Sequence, residues 1–348
     1  MRNRLHAYVL AGSLASAAFV IAQTSQPFDR DTYRGPTTDA TYTPLATTQS
    51  SDRPAAIHVE PIPEQMRRER DLSPFYVKHV VIRGVPVIAS ARVSDHALLE
   101  AAYKLDHMLA DSPEWVRAAL VNAKVRLAVI GVVEYSLDLP ENAAGDMNRD
   151  LKSAAFWDER ARGTGGLPDA SCGEENLLNL ASDPYRAEDI GIHEFAHTLA
   201  SALQQADPTW YERLRETYRY AMDAGRFKGT YNASNEQEYW AEGAQMWFDC
   251  AVPHAVKNVH DGRWTREQIK AYDAELAKLL AEVYGDGAWR YVRTDGKPLT
   301  VDGVEYTRPA EELAHLKGLD RDALPKFSFA KSPRIIAYRA TTKPTTAP

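Results

Sequence analysis

His193 and His197 stand four residues apart in the stretch Gly191-Ile192-His193-Glu194-Phe195-Ala196-His197-Thr198-Leu199. On an α-helix, residues i and i+4 share a face, so both imidazoles can point at one ion while Glu194 sits beside it. Two imidazoles with a carboxylate in that register make a zinc site with a base attached. Five residues alone are a weak signal, since a chance match arises on the order of once in fifty such chains, so the surroundings decide. Ile192, Phe195, Ala196, Leu199 and Leu203 recur at helical spacing and form an apolar stripe set off from the two His. That stripe can face a core while the His look into a cleft. Gly191 costs about 1 kcal/mol relative to Ala inside a helix, which points to close packing there.

A catalytic zinc takes three protein ligands and leaves one position open. The best source of a third is Tyr231-Asn232-Ala233-Ser234-Asn235-Glu236-Gln237-Glu238, continuing through Tyr239, Trp240, Glu242, Gln245, Trp247 and Phe248. Ser234 followed by Gln237 reads as a capping box, and the four aromatics give the helix that follows an apolar side. Glu238, Ala241, Glu242 and Gln245 share the other side. From spacing alone, a Glu pair four apart is a solvated face as readily as a ligand pair.

H-E-F-A-H followed downstream by Y-x-x-x-N-E-x-E, two aromatics and A-E resembles the gluzincin metallopeptidases, and most closely the anthrax lethal factor catalytic-domain family. The resemblance covers about residues 185 to 250. It implies that His193, His197 and Glu238 hold one Zn²⁺ per chain and that Glu194 is the general base. It further implies that Glu242 is a carboxylate supporting the ligands and that Tyr231 aims its hydroxyl at the reacting oxygen. The fold it implies is α/β (α+β) and zincin-like: a small mixed sheet over the active-site helix, with a mostly helical lower half. Nothing in the chain resembles the toxin's partner-binding or substrate-docking domains.

The elements that must position these residues follow along the chain. Residues 1–22 open with Arg2 and Arg4, continue as a small-apolar run and end on Val20-Ile21-Ala22, which reads as a cleaved signal peptide. The run falls short of the ~20 strongly apolar residues that a membrane span prefers, so the mature chain is expected outside the cytoplasm, secreted or periplasmic, with no stable membrane insertion. The formal net charge is −7 for the whole chain, and more negative without that segment, which argues against nucleic acid as a partner. Residues 23–70 are rich in Thr, Ser, Pro and charge and read as a disordered linker. A catalytic domain over 71–285, a small appendage of hairpins over 286–340 and a disordered tail at 341–348 complete the reading.

Within the catalytic domain, the dense β-branched residues between Phe75 and Ser90 predict one or two strands. Helices are expected over 98–109 and 113–121, the second begun by Ser112 with Pro113 at its first position. His96, just ahead of the first of these, and His107, within it, read as ordinary half-buried histidines. Residues 125–139 are again strand-like. The stretch Gly163-Thr164-Gly165-Gly166 lacks the lysine and helix pattern of a phosphate loop. In zincins, which the chain resembles, the segment before the metal helix supplies an edge strand that holds an extended substrate by backbone hydrogen bonds, and the resemblance implies that role here. Cys172 and Cys250, the only two cysteines, bracket the site; in an exported chain an even count favours a disulfide. Thr265 to Gln268 is a second capping box, opening a helix with Ile269, Tyr272, Leu276, Leu279, Leu280 and Val283 as its core stripe. Asp295-Gly296 and Asp302-Gly303 predict hairpins.

Together these features describe an exported zinc metallopeptidase acting on a peptide or protein substrate. Two alternatives stay open: an inactive scaffold on the same fold, and a hydrolase of a non-peptide amide such as a cell-wall component.

Overall fold

The computed structural model describes residues 28–46, 55–296, 299–301 and 303–342. The expected signal segment and all but the first two residues of the expected tail lie outside them. Residues 28–33 belong to a small unit of their own, a turn in which the Asp29 carboxylate accepts from Asp31 N at 2.9 Å. Everything from Arg34 onward belongs to the second unit.

That second unit is built on a six-stranded mixed sheet: β1 (Glu60–Pro61), β2 (Lys78–Ile82), β3 (Val85–Ala89), β4 (Arg126–Ile130), β5 (Gly163–Gly165) and β6 (Asp169–Gly173), in the spatial order β1-β2-β3-β4-β6-β5. The pairs β3–β4 and β4–β6 are parallel and the others antiparallel. β3 and β4 are buried along their whole length. Their sequences, VPVIA and RLAVI, are the near-continuous apolar runs that parallel strands covered on both faces require.

Helices α1 (Glu64–Glu69), α2 (Asp95–Met108), α3 (Glu114–Asn122), α4 (Pro140–Ala143), α5 (Leu151–Arg160) and α6 (Glu174–Leu177) alternate with the strands. Then follow α7 (Ile190–Ala206), α8 (Pro208–Asp223), α9 (Glu236–Trp247), α10 (Arg266–Tyr272), α11 (Ala274–Tyr284) and the terminal α12 (Pro333–Thr342). α7 packs on β5 and β6 on one side and on α8 and α9 on the other. This is the expected class, a small mixed sheet over one helix with a helical lower half. Among the described residues no helix is long and apolar enough to cross a membrane.

Local sequence explains where several elements start, and tertiary contacts explain where they depart from the sequence pattern. Ser94 caps α2 by accepting from His96 N. Pro113, expected as the first residue of α3, is its cap instead and carries no side-chain hydrogen bond. The helix expected from Thr265 is two: Asp273 ends α10 and caps α11 by accepting from Leu276 N, while its other oxygen takes the Tyr239 hydroxyl at 2.6 Å. The strand expected to run to Leu139 stops at Ile130, where Glu134 folds back to accept from Gly131 N at 2.8 Å.

Two stretches expected to stand apart are part of the body. Residues 34–46 and 55–70, which read as linker, carry β1 and α1 and bury Tyr42 and Ile62. A few anchors suffice because the backbone is paired as well, for example Asp95 N to Pro36 O at 2.9 Å and Ile62 N to Val77 O at 3.1 Å. Among the described residues the C-terminal stretch has one hairpin, β9 (Leu299–Val301) with β10 (Val304–Tyr306), turning at Gly303, and none at Asp295-Gly296. Beyond the hairpin the chain returns to the body, and α12 packs on α5.

What draws these pieces together is charge buried on α2. Glu100 is fully buried and takes Arg308 through both oxygens, at 2.8 and 3.0 Å, with His315 Nε2 at 2.8 Å. Asp106 holds Arg83, the Tyr42 hydroxyl and Leu45 N, each at 2.6 Å. Lys104 Nζ reaches Asp189 Oδ2 at 2.5 Å.

Burial alone raises a carboxyl, yet Arg308 and His315 overcome it and hold Glu100 at about 2. A carboxyl depressed below its ordinary value of 4.5 in the folded state contributes stability above that value and loses it as the pH falls toward about 2. Glu100→Ala is therefore expected to lower the unfolding free energy at pH 7 by about 3–5 kcal/mol, since it leaves a buried guanidinium unpaired. In denaturant titrations that penalty should shrink as the pH is taken from 5 toward about 2. An equal penalty at both ends would mean that Glu100 acts only by packing.

Candidate active site

α7 begins where Asp189 accepts from Ile192 N at 2.9 Å, a side-chain cap on the first free amides of the helix. From that start, Ile192, Phe195, Ala196, Leu199 and Leu203 are all fully buried, and His193 and His197 come out together on the opposite side. Gly191 is the second residue of the helix, and a Cβ there would stand 3.3 Å from Asp189 Oδ1 and 3.4 Å from Cys172 Sγ. The close packing inferred at that position is present.

α9 is capped by Asn235, not Ser234: Asn235 Oδ1 accepts from Gln237 N and Glu238 N, both at 2.9 Å. Ser234 instead closes a 3-10 turn over Tyr231–Ala233. The register is fixed against α7 by the indole of Trp240, which donates to Ala196 O at 3.0 Å across the two helices. Glu238 is thereby set opposite the two His.

Three atoms converge. His193 Nε2 and His197 Nε2 are 3.1 Å apart, and Glu238 Oε2 lies 3.2 Å from the first and 3.3 Å from the second. Glu238 Oε2 is buried and has no hydrogen-bond partner. Ligands about 2.0–2.1 Å from a tetrahedral zinc are about 3.3 Å from one another, so the triangle has the dimensions of one face of that tetrahedron. The residues present fit the ion.

Around the triangle stand the other residues singled out in the sequence. Tyr231 is tied by its backbone, donating from N to Val259 O at 2.7 Å, and its hydroxyl donates to Glu238 Oε1 at 3.0 Å. Glu194 faces the same cleft of about 680 Å³, which is lined also by Met147, Trp157, Gly163, Thr164, Gly165 and Ser201. β5, the edge of the sheet, forms one wall of it. Its glycines have a physical reason: a Cβ on Gly163 would come within 2.7 Å of Glu194 Cγ, and one on Gly165 within 2.4 Å of Glu194 O.

Glu242 lies behind the His and does not touch them closely, its Oε1 being 3.9 Å from His193 Nδ1; its Oε2 faces His260 Nδ1 at 3.3 Å. With Glu188 they form a second group of metal-ligating side chains. The group that does meet His193 Nδ1 is Gln245, at 3.1 Å. Gln245 and Glu238 lie on one helix face, seven residues apart, a spacing visible in the sequence. His260 sits on β8 (His260–Asp261), paired to β7 (Ala255–Val256) in a loop that carries no sequence signal.

Burial pushes the Glu194 carboxyl up, with His193 and His197 opposing. Burial also opposes ionisation of Glu238, but the imidazoles of His193 and His197 beside it hold it well below the usual carboxylate range. His193 is buried too, yet the carboxylates of Glu238, Glu194 and Glu242 draw it up to about 10. The Tyr231 phenol is pushed up to about 12, by burial first and then by Glu238. Metal binding displaces protons from such a set.

Cys172, on β6, and Cys250, just after α9, are both buried and free, which corrects the expected disulfide. Sequence separation sets the entropy of closing a loop, but a bridge also needs specific Cβ geometry, which spacing does not encode. Burial raises both thiols far above the ordinary range, so neither is poised to react.

No family model and no curated protein matches the chain. Among solved structures, the PRO-PRO endopeptidase from Paenibacillus alvei is similar over 56% of this chain and 96% of that one, at 15% identity and a TM-score of 0.36. The chemistry is therefore read from the side chains themselves.

The approach of β5 to α7 gives a direct test. Gly165→Ala should destabilise the chain by about 1–3 kcal/mol, because the added carbon meets backbone that cannot yield without parting strand from helix. Gly166→Ala, where nothing lies within 4 Å, should stay within about 0.5 kcal/mol of the parent. Denaturant midpoints of the two variants decide it.

Proposed function

We propose that the chain is a zinc-dependent hydrolase of peptide bonds, with His193, His197 and Glu238 as the metal ligands. The observation that supports this most is the triangle of their three ligand atoms, with Glu194 lining the same cleft and the Tyr231 hydroxyl bonded to Glu238. Zinc bound there supplies a Lewis acid that polarises a carbonyl and acidifies water at neutral pH.

The protein's own groups do the rest. Glu194, raised by burial and standing in the cleft, accepts the proton of the attacking water and passes it to the leaving amine. Tyr231 keeps its proton near neutral pH and can turn its donor from Glu238 Oε1 to a developing oxyanion. β5 presents backbone amides at an open sheet edge beside these groups, where an extended peptide can add as a further strand. The place of action is outside the cytoplasm, a proposal that rests on the basic start and apolar run of residues 1–22.

Metal analysis of the purified chain should find about one zinc, and products from a mixed peptide library should vanish with a chelator. Glu194→Gln keeps the shape of the side chain but cannot accept a proton. It should retain the zinc and lose about 10² to 10⁴ in rate. A chain without zinc, or a variant with unchanged turnover, overturns the reading.

Tyr231→Phe separates catalysis from packing because it keeps the ring and removes only the donor. A donor to the transition state is worth about 2.7–4 kcal/mol, so kcat should fall roughly 10²- to 10³-fold with KM and zinc content little changed. Parent-like kcat would leave the oxyanion to other groups.

A further inference from the structure

Resting on the zinc reading, we propose that Gln245 is a positioning residue that fixes the tautomer of His193, keeping a proton on Nδ1 so that Nε2 is the ligand atom. Gln245 is fully buried on α9, two turns beyond Glu238. Its amide nitrogen lies 3.0 Å from the carbonyl oxygen of Asp189 and 3.2 Å from Glu188 Oε2. A backbone carbonyl can only accept, so the half of the amide that faces it is the NH₂ group. The other half, Oε1, is 3.1 Å from His193 Nδ1, and an amide oxygen can only accept. Nδ1 must then carry a hydrogen. A neutral imidazole has one N–H, so Nε2, which points at Glu238 Oε2 and His197 Nε2, is left with its lone pair.

No other group can set this tautomer. Glu242 Oε1 stands 3.9 Å from Nδ1, beyond hydrogen-bond reach. A carboxylate in place of Gln245 could accept from Nδ1, but it would remove the shorter of the two hydrogen bonds to Asp189 O, leaving only His193 N at 3.3 Å, and would add a charge beside Glu188, itself already facing Glu242. The neutral amide serves both the imidazole and the cap residue of α7. At His197 the same device is looser: Gln237 Oε1 is 3.5 Å from Nδ1, and Gln237 Nε2 is held by the Tyr211 hydroxyl at 2.7 Å.

Groups that orient a ligand His typically change metal affinity 10- to 100-fold on removal. The test is a chelator competition for zinc on the full chain, set beside thermal melting of the metal-free form. Gln245→Met, which fills the space without hydrogen bonds, should bind zinc about 10- to 100-fold more weakly than the parent. Gln245→Glu restores the acceptor but neither donor, so it should recover most of the zinc affinity although it melts no higher than Gln245→Met. Affinity would then follow the acceptor and stability the donors. Parent-like zinc binding by Gln245→Met, or a Gln245→Glu variant that binds no better than Gln245→Met, overturns the inference. A parent chain that binds no zinc overturns the zinc reading itself, and this inference with it.

Discussion

Asp189 is the residue through which the sheet side, the metal helix and the ligand helix are held in one register. One carboxylate oxygen caps α7 and the other takes Lys104 from the interior of α2. Its backbone N donates to Cys250 O, just past α9, and its carbonyl accepts from Gln245 within α9. Rotation or sliding of α7 against α9 would break several of these at once, and each group that loses its partner would be left buried and unsatisfied, at a cost of about 1–3 kcal/mol each. The separations of 3.1 to 3.3 Å at the His193–His197–Glu238 triangle depend on that register. Lys104 is worth keeping charged in the interior only because Asp189 answers it; burial works against the ammonium, and the carboxylate more than offsets that.

Much of this was legible because it is local. The i, i+4 spacing of the two His, the apolar stripe of α7 and the strand density around residues 77–88 are set by periodicity within one element, and the structure keeps all three. Resemblance, more than spacing, gives Glu238 and Tyr231 their roles, and the structure sets Glu238 against the His pair and the Tyr231 hydroxyl on Glu238. The misreadings share a different cause. Asn235 displaced Ser234 as cap because the two compete at neighbouring positions, and only the path of the preceding 3-10 turn decides between them. The break at Asp273 was invisible because that residue answers a tertiary partner, Tyr239. Residues 34–46 and 55–70 are polar in composition, yet they are anchored by backbone pairing and by Tyr42 reaching Asp106. Gln245 falls on the face of Glu238 by helical spacing, but an amide's role depends on what lies at each of its two ends, which spacing does not encode.

Distance from the chemistry does not separate structural from functional residues here. The glycines of β5 carry no reactive group, yet they let the sheet edge lie against the backbone of Glu194. A bulkier strand would push the edge away from the helix and with it the wall of the cleft. Trp240, buried and remote from solvent, sets the height of Glu238 on α9 by donating to Ala196 O. Both effects act through backbone position, which a search for reactive side chains overlooks.

The way this chain treats buried carboxylates elsewhere bears on what the triangle is for. Glu100 has Arg308, Asp106 has Arg83, and Glu175 has Arg162 at 2.5 Å. Glu174 has no such cation in contact, and takes two backbone amides instead, from Ser94 and Val132; burial still pushes it up to about 7. Among the described residues, each of these is met by a permanent charge or by backbone donors, as burial of a carboxylate requires. Glu238 is met by neither. Its Oε1 has the Tyr231 phenol and its Oε2 only two imidazole nitrogens, on a surface where Glu194, Glu242 and Glu188 add further negative charge. Imidazoles offer a lone pair to a metal as readily as a proton to a carboxylate, whereas arginine offers only the proton. With no arginine, lysine or backbone amide on Glu238 among the described residues, the charge that compensates it can come from a bound cation, and the convergence of two imidazoles and one carboxylate is the physical case for a metal ion.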